Sequence, residues 1–372
     1  MNDQSNTCQH WDIFCRVIDN FGDAGVCWRL ATDLATRGQR VRLFIDQPDI
    51  LTKLVGNFSA SHLIEVQSWP GDQERFSVHD FADVVIEAFA CDIPPAYVDA
   101  MNAANKHVAW INLEYLTAET WVESHHGMPS PHPRYALTKH FYFPGFTSST
   151  GGLLREPELT TLLQSSEAIQ ITNPAVPIKL FLFSYEQPAI GHWLKSIQNG
   201  NIATTLGVTP CPAKIQIENW LNSQTDHGNL CFEYLEFVAQ HEFDALIGRF
   251  DVLFVRGEDS FVRAQWAGKP LIWHIYPQEE DAHLVKLKAF YDRYLDQGAL
   301  SPTLRSIFWE FVLAWNSTHT HKSWDTLAEL WPLLMVSMPA LHENARVWRK
   351  RLLAQPDLVT QLRDFVSHLV KC

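Results

Sequence analysis

Two short segments of the 372-residue chain carry side chains whose types and spacing suit chemistry. The first, Asp19-Asn20-Phe21-Gly22-Asp23, follows an apolar run at 11–18 and precedes a helical stretch, so two carboxylates four residues apart sit at a strand-to-helix turn. A carboxylate placed there can accept a proton, or it can simply cap the helix, where the macrodipole favours negative charge. Spacing alone leaves both roles open. The second segment, Val255-Arg256-Gly257-Glu258-Asp259-Ser260, lies between the strand-like VLFV and the helix-like SFVRAQWAG. A glycine turn with Asp and Ser at a helix start exposes backbone N–H groups, which makes an anion site. Arg256 beside it could grip phosphate oxygens bidentately. The alternative is a capped helix whose arginine forms a surface ion pair. Acidic residues inside a phosphate site are consistent only if Glu258 turns away to bind hydroxyls or Asp259 acts through its backbone.

Three further positions stand at predicted strand ends: Glu114 after HVAWINL, Tyr185 after IKLFLFS, and Gln240 just beyond CFEYLEF. Each taken alone serves packing or a turn as readily as a ligand. No G-x-G-x-x-G and no G-x-x-x-x-G-K-[ST] occurs, so nicotinamide and P-loop chemistry lose their main support. The 17 histidines are dispersed without H-E-x-x-H, and no D-x-D triple is present. A diphosphate site here is expected to work without a metal or other cofactor.

The elements that must position these residues alternate between strand and helix twice over, the pattern of open parallel sheets covered on both faces. The first set comprises 11–18, a helix AGVCWRLATDLATR stopped by Gly38, then strands at 41–46, 62–67, 83–89 and 107–114. Residues 147–177, rich in Ser, Thr, Gly and Pro, read as a hinge region. A second set of strands falls at 178–185, 202–208, 231–237, 252–257 and 271–276, and the chain reads as helix beyond about 279. Domains are expected at 1–172 and 177–350, with 351–372 a closing helix that packs back on the first. At roughly 100–200 residues per domain, the length agrees with two. Ligands in such sheets gather at the carboxyl ends of the strands, where both singled-out segments lie.

Charge narrows the partners. Of the net −13, residues 1–170 hold −10. A field of that sign argues against nucleic acid and favours a cationic partner at the first domain, or serves only solubility. Seven scattered cysteines without C-x-x-C predict reduced thiols. No apolar run reaches the roughly 18 residues that cross a bilayer, and MNDQSNTCQH lacks a signal-peptide pattern, so a cytoplasmic chain without a membrane partner is expected.

The segments FCRVIDNFGDAGVCWRLA, VVIEAFACDIP, INLEYL, PGFTSSTGGLLRE and VRGEDSFVRAQWAGKPLIWHIYPQEEDAHLVKL resemble, in order, the bacterial elongation factor P arginine rhamnosyltransferases, the EarP family. The resemblance implies GT-B architecture: two Rossmann-like doubly wound α/β domains facing a cleft, with a helical C-terminus. It implies inverting transfer of rhamnose from dTDP-β-L-rhamnose to an arginine of elongation factor P. It makes Asp23 the base, Asp19 a supporting carboxylate and Glu258 a second essential one. Asn20, Phe21 and Gly22 would line the donor, Arg256, Gly257, Glu258, Asp259 and Ser260 would contact its phosphates, and Tyr185, Phe237 and Gln240 would form the nucleotide pocket. The loop after Gln240 departs from the family pattern, reading HEFD. Two other readings compete: a nucleotide-sugar transferase for a small acceptor, and a nucleotide-binding protein without catalysis.

Overall fold

The computed structural model describes residues 8–18, 21–56, 61–71, 74–77, 79, 81–104, 106–157, 159, 176–317 and 321–371. The chain forms two compact units, Met1–Thr160 with Gln355–Cys372, and Thr161–Ala354.

In the first unit the strands are β1 (His10–Cys15), β2 (Arg40–Ile45), β3 (Ile64–Ser68), β4 (Val84–Ala88), β5 (Ala109–Leu113), β6 (Pro129–Pro131) and β7 (Thr138–Tyr142). They run in the order β3-β2-β1-β4-β5-β7-β6, parallel except for β6 against β7. The helices are α1 (Phe21–Thr36), α2 (Pro48–Val55), α3 (Pro95–Ala103) and the short α4 (Val122–His125). Alternation along β1 sorts the core. Trp11, Ile13 and Cys15 join one cluster with α1, while Phe14 joins the opposite one with Phe44, Val85 and Tyr97. Helix α1 ends where Gly38 adopts φ +80 and its N–H reaches Ala35 O, a left-handed stop that costs glycine nothing.

The second unit holds β8 (Ile178–Leu182), β9 (Thr204–Val208), β10 (Leu230–Tyr234), β11 (Val252–Arg256) and β12 (Leu271–His274) in the order β10-β9-β8-β11-β12, all parallel. Its helices are α5 (Ile190–Asn199), α6 (Pro212–Asn222), α7 (Phe243–Ile247), α8 (Asp259–Ala267), α9 (Ala282–Leu295), α10 (Pro302–Asn316), α11 (His321–Val336) and α12 (Met338–Leu353). An aromatic knot joins sheet and helices: Trp193 lies 4.9 Å from Phe254 and 5.1 Å from Trp315, ring centre to ring centre. The last helix, α13 (Leu358–Lys371), belongs to the first unit, where Leu358, Val359, Leu362 and Val366 enter the α1-side core.

Several boundaries differ from the sequence reading. Helix α1 includes Phe21 and Gly22, so Asp23 lies in its first turn rather than before it. Strand β10 stops at Tyr234 and β12 at His274, leaving Phe237 and Tyr276 in loops, both more than half exposed. Strand β7 was not anticipated, because TKHFY mixes charge with half-buried positions and shows no clean alternation. Asp19 and Asn20, and most of the expected hinge at 147–177, lie outside the described residues. The six described cysteines are free. Among the described residues no helix is long and apolar enough to cross a membrane.

Candidate active site

Both sheets share a topological switch point, between β1 and β4 in one and between β8 and β11 in the other, where the helices after neighbouring strands depart to opposite faces and leave a crevice. The two chemically suggestive segments follow β1 and β11, so each sits at the crevice of its own unit.

On the first unit, Asp23 is buried at 2% exposure, yet both carboxylate oxygens are engaged. Ile18 N donates to Oδ2 at 2.8 Å and Tyr115 Oη donates to Oδ1 at 3.1 Å. The first turn of α1 supplies its partial positive charge to the same group. Phe21 packs partly buried against the α1-side core, with Gly22 between it and Asp23. Glu114, one residue past β5, receives Asn112 Nδ2 at 2.6 Å. Tyr115 and Asn112 escaped the sequence reading, because nothing local in INLEYL shows that its tyrosine reaches a carboxylate 92 residues earlier.

On the second unit, the guanidinium carbon of Arg256 lies 4.7 Å from the ring centres of both Phe183 and Tyr185. The rings hold the planar group flat while leaving its N–H edge unclaimed by an ion pair among the described residues. Gly257 follows at φ +66, a value a side chain would strain, and Trp273 Nε1 donates to its carbonyl at 2.9 Å. Glu258 then takes the cap position of α8 without capping it through its own side chain, at the helix start that carries Asp259 and Ser260. Asp259 is turned inward. Its Oδ2 accepts from Gln240 Nε2 at 2.8 Å and lies 3.5 Å from Arg263 Nε. Asp259 thus offers the turn its backbone, and Gln240 is drawn to it. The HEFD loop places Asp244 in an ion pair with the same Arg263.

Behind Tyr185, Ser184 Oγ lies 2.7 Å from His274 Nδ1, and Asn316 pins the strand end by accepting from Ile275 N and donating to Trp273 O. Burial, with the charge of Arg256 adding to it, pushes the His274 imidazole down to about 3. It stays neutral beside the arginine. Tyr276, 5.7 Å edge-on to Tyr185, and Phe237 add exposed aromatic surface at the same strand ends. The position of Tyr276 directly after the LIWHI run was a signal available in the sequence. Among the described residues no group of three or more His, Cys, Asp or Glu could hold a metal ion.

Two parallel, doubly wound sheets with polar groups at both switch points are the architecture of GT-B glycosyltransferases. The chain matches over 97% of its length the structure from a study of EarP-mediated arginine glycosylation of translation elongation factor EF-P, which it covers to 99% with a TM-score of 0.65 and 28% identity. It also shares the fold of Acinetobacter baumannii MurG, at TM-score 0.57, 14% identity and 97% and 100% coverage. A protein-arginine rhamnosyltransferase of Pseudomonas putida is 40% identical, with 95% of this chain and 98% of that one aligned, and its counterpart in Pseudomonas aeruginosa is 38% identical, at 96% and 98%. Residues 11–367 match the family described as elongation factor P (EF-P) rhamnosyltransferase EarP. The chain belongs to that family.

Proposed function

We propose that the protein transfers rhamnose from dTDP-β-L-rhamnose to an arginine of elongation factor P, with inversion, in the cytoplasm and without a metal. The observation that carries the reading is the division of labour at the two switch points. The first unit presents carboxylates, which suit a guanidinium, and the second presents an arginine packed on two rings beside the start of α8, which suits a diphosphate.

The proton transfer must come late. Aspartates titrate near about 3.9 and a guanidinium at roughly 12.5–13.8, a gap of about nine units, so removal before attack would cost on the order of 12 kcal/mol. As the nitrogen bonds to the anomeric carbon it loses basicity, and Asp23 takes the proton in the same step. The bond from that carbon to the diphosphate oxygen breaks, and its electron pair leaves with dTDP, whose charge Arg256 and the start of α8 stabilise. Asp19 or Glu114 holds the other guanidinium nitrogens. Glu258 binds sugar hydroxyls, while Tyr185, Phe237 and Gln240 surround the nucleotide. The excess negative charge of residues 1–170 draws the cationic acceptor.

Incubation with elongation factor P and dTDP-rhamnose in EDTA, followed by intact mass, tests the reading. One added deoxyhexose on an arginine is expected. No addition to the protein, with rhamnose passed to a small acceptor or nucleotide bound without turnover, would return the function to one of the two competing readings.

A further inference from the structure

The turn after β4 is the most strained stretch of the first unit. Phe89, Ala90 and Asp92 have φ of 56, 53 and 52, three non-glycine residues in the left-handed region within four positions. Such residues cost of order 1 kcal/mol or more each and persist only where their surroundings over-determine them. Here each backbone N–H is captured. Phe89 N donates to Leu113 O at 2.7 Å, Ala90 N to Asn112 Oδ1 at 3.1 Å, and Asp92 N to Glu87 Oε1 at 3.2 Å. Glu87 is in turn fixed by Lys139 Nζ at 2.9 Å. A cleft of about 290 Å³ opens beside Glu87 and Asp92. Hydrogen bonds hold the turn.

Two of the groups that hold this turn also hold the proposed acceptor carboxylates. Asn112 lies in a central strand at 1% exposure, where an amide is costly to bury unless satisfied. It accepts from Ala90 N with its oxygen and donates to Glu114 Oε1 with its nitrogen. The Phe89 ring, aimed by its unusual φ, stacks on Tyr115 at 4.3 Å and 14°, and Tyr115 donates to Asp23 Oδ1. One turn therefore fixes the planes of two carboxylates through one neighbour each.

We propose that Tyr115 and Asn112 are positioning residues for arginine transfer, Tyr115 setting the carboxylate of Asp23 and Asn112 that of Glu114, with the strained Phe89–Asp92 turn as their common frame. The proposal rests on the reading of Asp23 as base and Glu114 as acceptor ligand. A planar guanidinium needs both carboxylates oriented as well as present, because its donors form a rigid fork. Loss of the tyrosine hydroxyl removes the hydrogen bond to Oδ1 while Ile18 N still holds Oδ2, so the Asp23 carboxylate shifts out of its plane, and a misoriented base lowers turnover without weakening donor binding.

The test compares initial rates against both substrates for the unaltered protein, Tyr115→Phe, Asn112→Ala, Glu114→Ala and the Asn112→Ala/Glu114→Ala pair, with dTDP affinity and melting temperature measured alongside. Tyr115→Phe keeps the ring stack, so the fold is retained. Its kcat is expected to fall by about tenfold to a hundredfold, with the donor KM and dTDP affinity within about twofold. Asn112→Ala is expected to lose activity alone but to add nothing once Glu114 is gone. Turnover of Tyr115→Phe within about twofold of the unaltered protein overturns its part, as does a loss shared equally with dTDP affinity and melting temperature. Full additivity of Asn112→Ala and Glu114→Ala overturns the other part. Asp23→Asn keeps the two reading types apart. If it turns over normally, the base assignment itself fails, whereas an inactive Asp23→Asn beside a normal Tyr115→Phe defeats only the positioning role.

Discussion

Replacing Arg256 by alanine separates a phosphate contact from a structural one, because the surroundings of the side chain allow both contributions to be sized. The guanidinium lies 4.7 Å from the ring centres of both Phe183 and Tyr185 and has no ion pair among the described residues. Two cation–π contacts at a half-buried site are worth about 0.5–1 kcal/mol apiece, so the stability loss should be about 1–2 kcal/mol. A charge-assisted hydrogen bond to a diphosphate is worth about 1.5–3 kcal/mol, which corresponds to a dTDP affinity weaker by roughly 10- to 150-fold. Thymidine lacks the phosphates, and its affinity should change by less than about twofold. Titration calorimetry with thymidine, dTMP and dTDP measures the three values, and a denaturation curve supplies the stability. Arg256→Lys should fall between, since it keeps charge but loses the flat group that both rings hold. Equal losses for thymidine and dTDP would refute the phosphate assignment and leave Arg256 as a packing residue.

Three other outcomes are expected. Exchanging the target arginine of elongation factor P for lysine should abolish transfer while only modestly weakening the complex, read by intact mass and calorimetry, because lysine keeps the charge but not the fork; efficient modification of lysine would end the carboxylate-held guanidinium chemistry. His274 stays neutral in the fold down to about 3 but takes up a proton near 6.5 when unfolded, so its contribution is constant above 6.5 and is lost as pH falls below it. That loss reaches about 2 kcal/mol by pH 5, with the buried His342, pushed down to about 4, acting in the same direction; burial raises the Asp33 carboxyl to about 6 in the first unit and acts oppositely, so the second unit's urea midpoint at pH 7 and 5 checks it, and an unchanged midpoint there contradicts it. Leu362→Ala on α13, fully buried in the first unit, should cost about 2–5 kcal/mol and shift the unfolding of that unit while leaving the second unit's transition in place.

How far the sequence could be read depended on the range of the interactions involved. Strands such as VVIEA and VLFVR declare themselves through β-branched apolar runs, and Gly38 and Gly257 mark turns that only a flexible backbone makes cheaply. Arg256 and Asp23 stand out in the sequence because strand-end loops are where such sheets keep their ligands, and the structure places Arg256 at the end of β11 and Asp23 in the first helical turn after β1. The rest was not local. Phe89, Ala90 and Asp92 are not the glycines expected at positive φ, so their turn leaves no trace in composition. The bonds of Tyr115 to Asp23 and of Gln240 to Asp259 join residues apart in the chain, and no local pattern announces either of them. Strand β7 was missed for a different reason. Its half-buried, charged face defeats a method that looks for apolar periodicity.

The return of α13 to the first unit sets an order of assembly during synthesis. Residues 161–354 emerge from the ribosome as a complete folding unit, needing nothing that follows, whereas the first unit waits for Leu358, Val359, Leu362 and Val366 to cover its floor. At 5–20 residues per second the intervening 194 residues take roughly 10–40 s, far longer than a small domain needs to fold. Through that interval the first unit presents an apolar patch beside α1, while the second unit is already shaped. The nascent chain therefore completes the unit that carries Arg256 before the unit that carries Asp23, and a ribosome that stalls before residue 358 releases a chain with its second unit formed and its first unit unclosed.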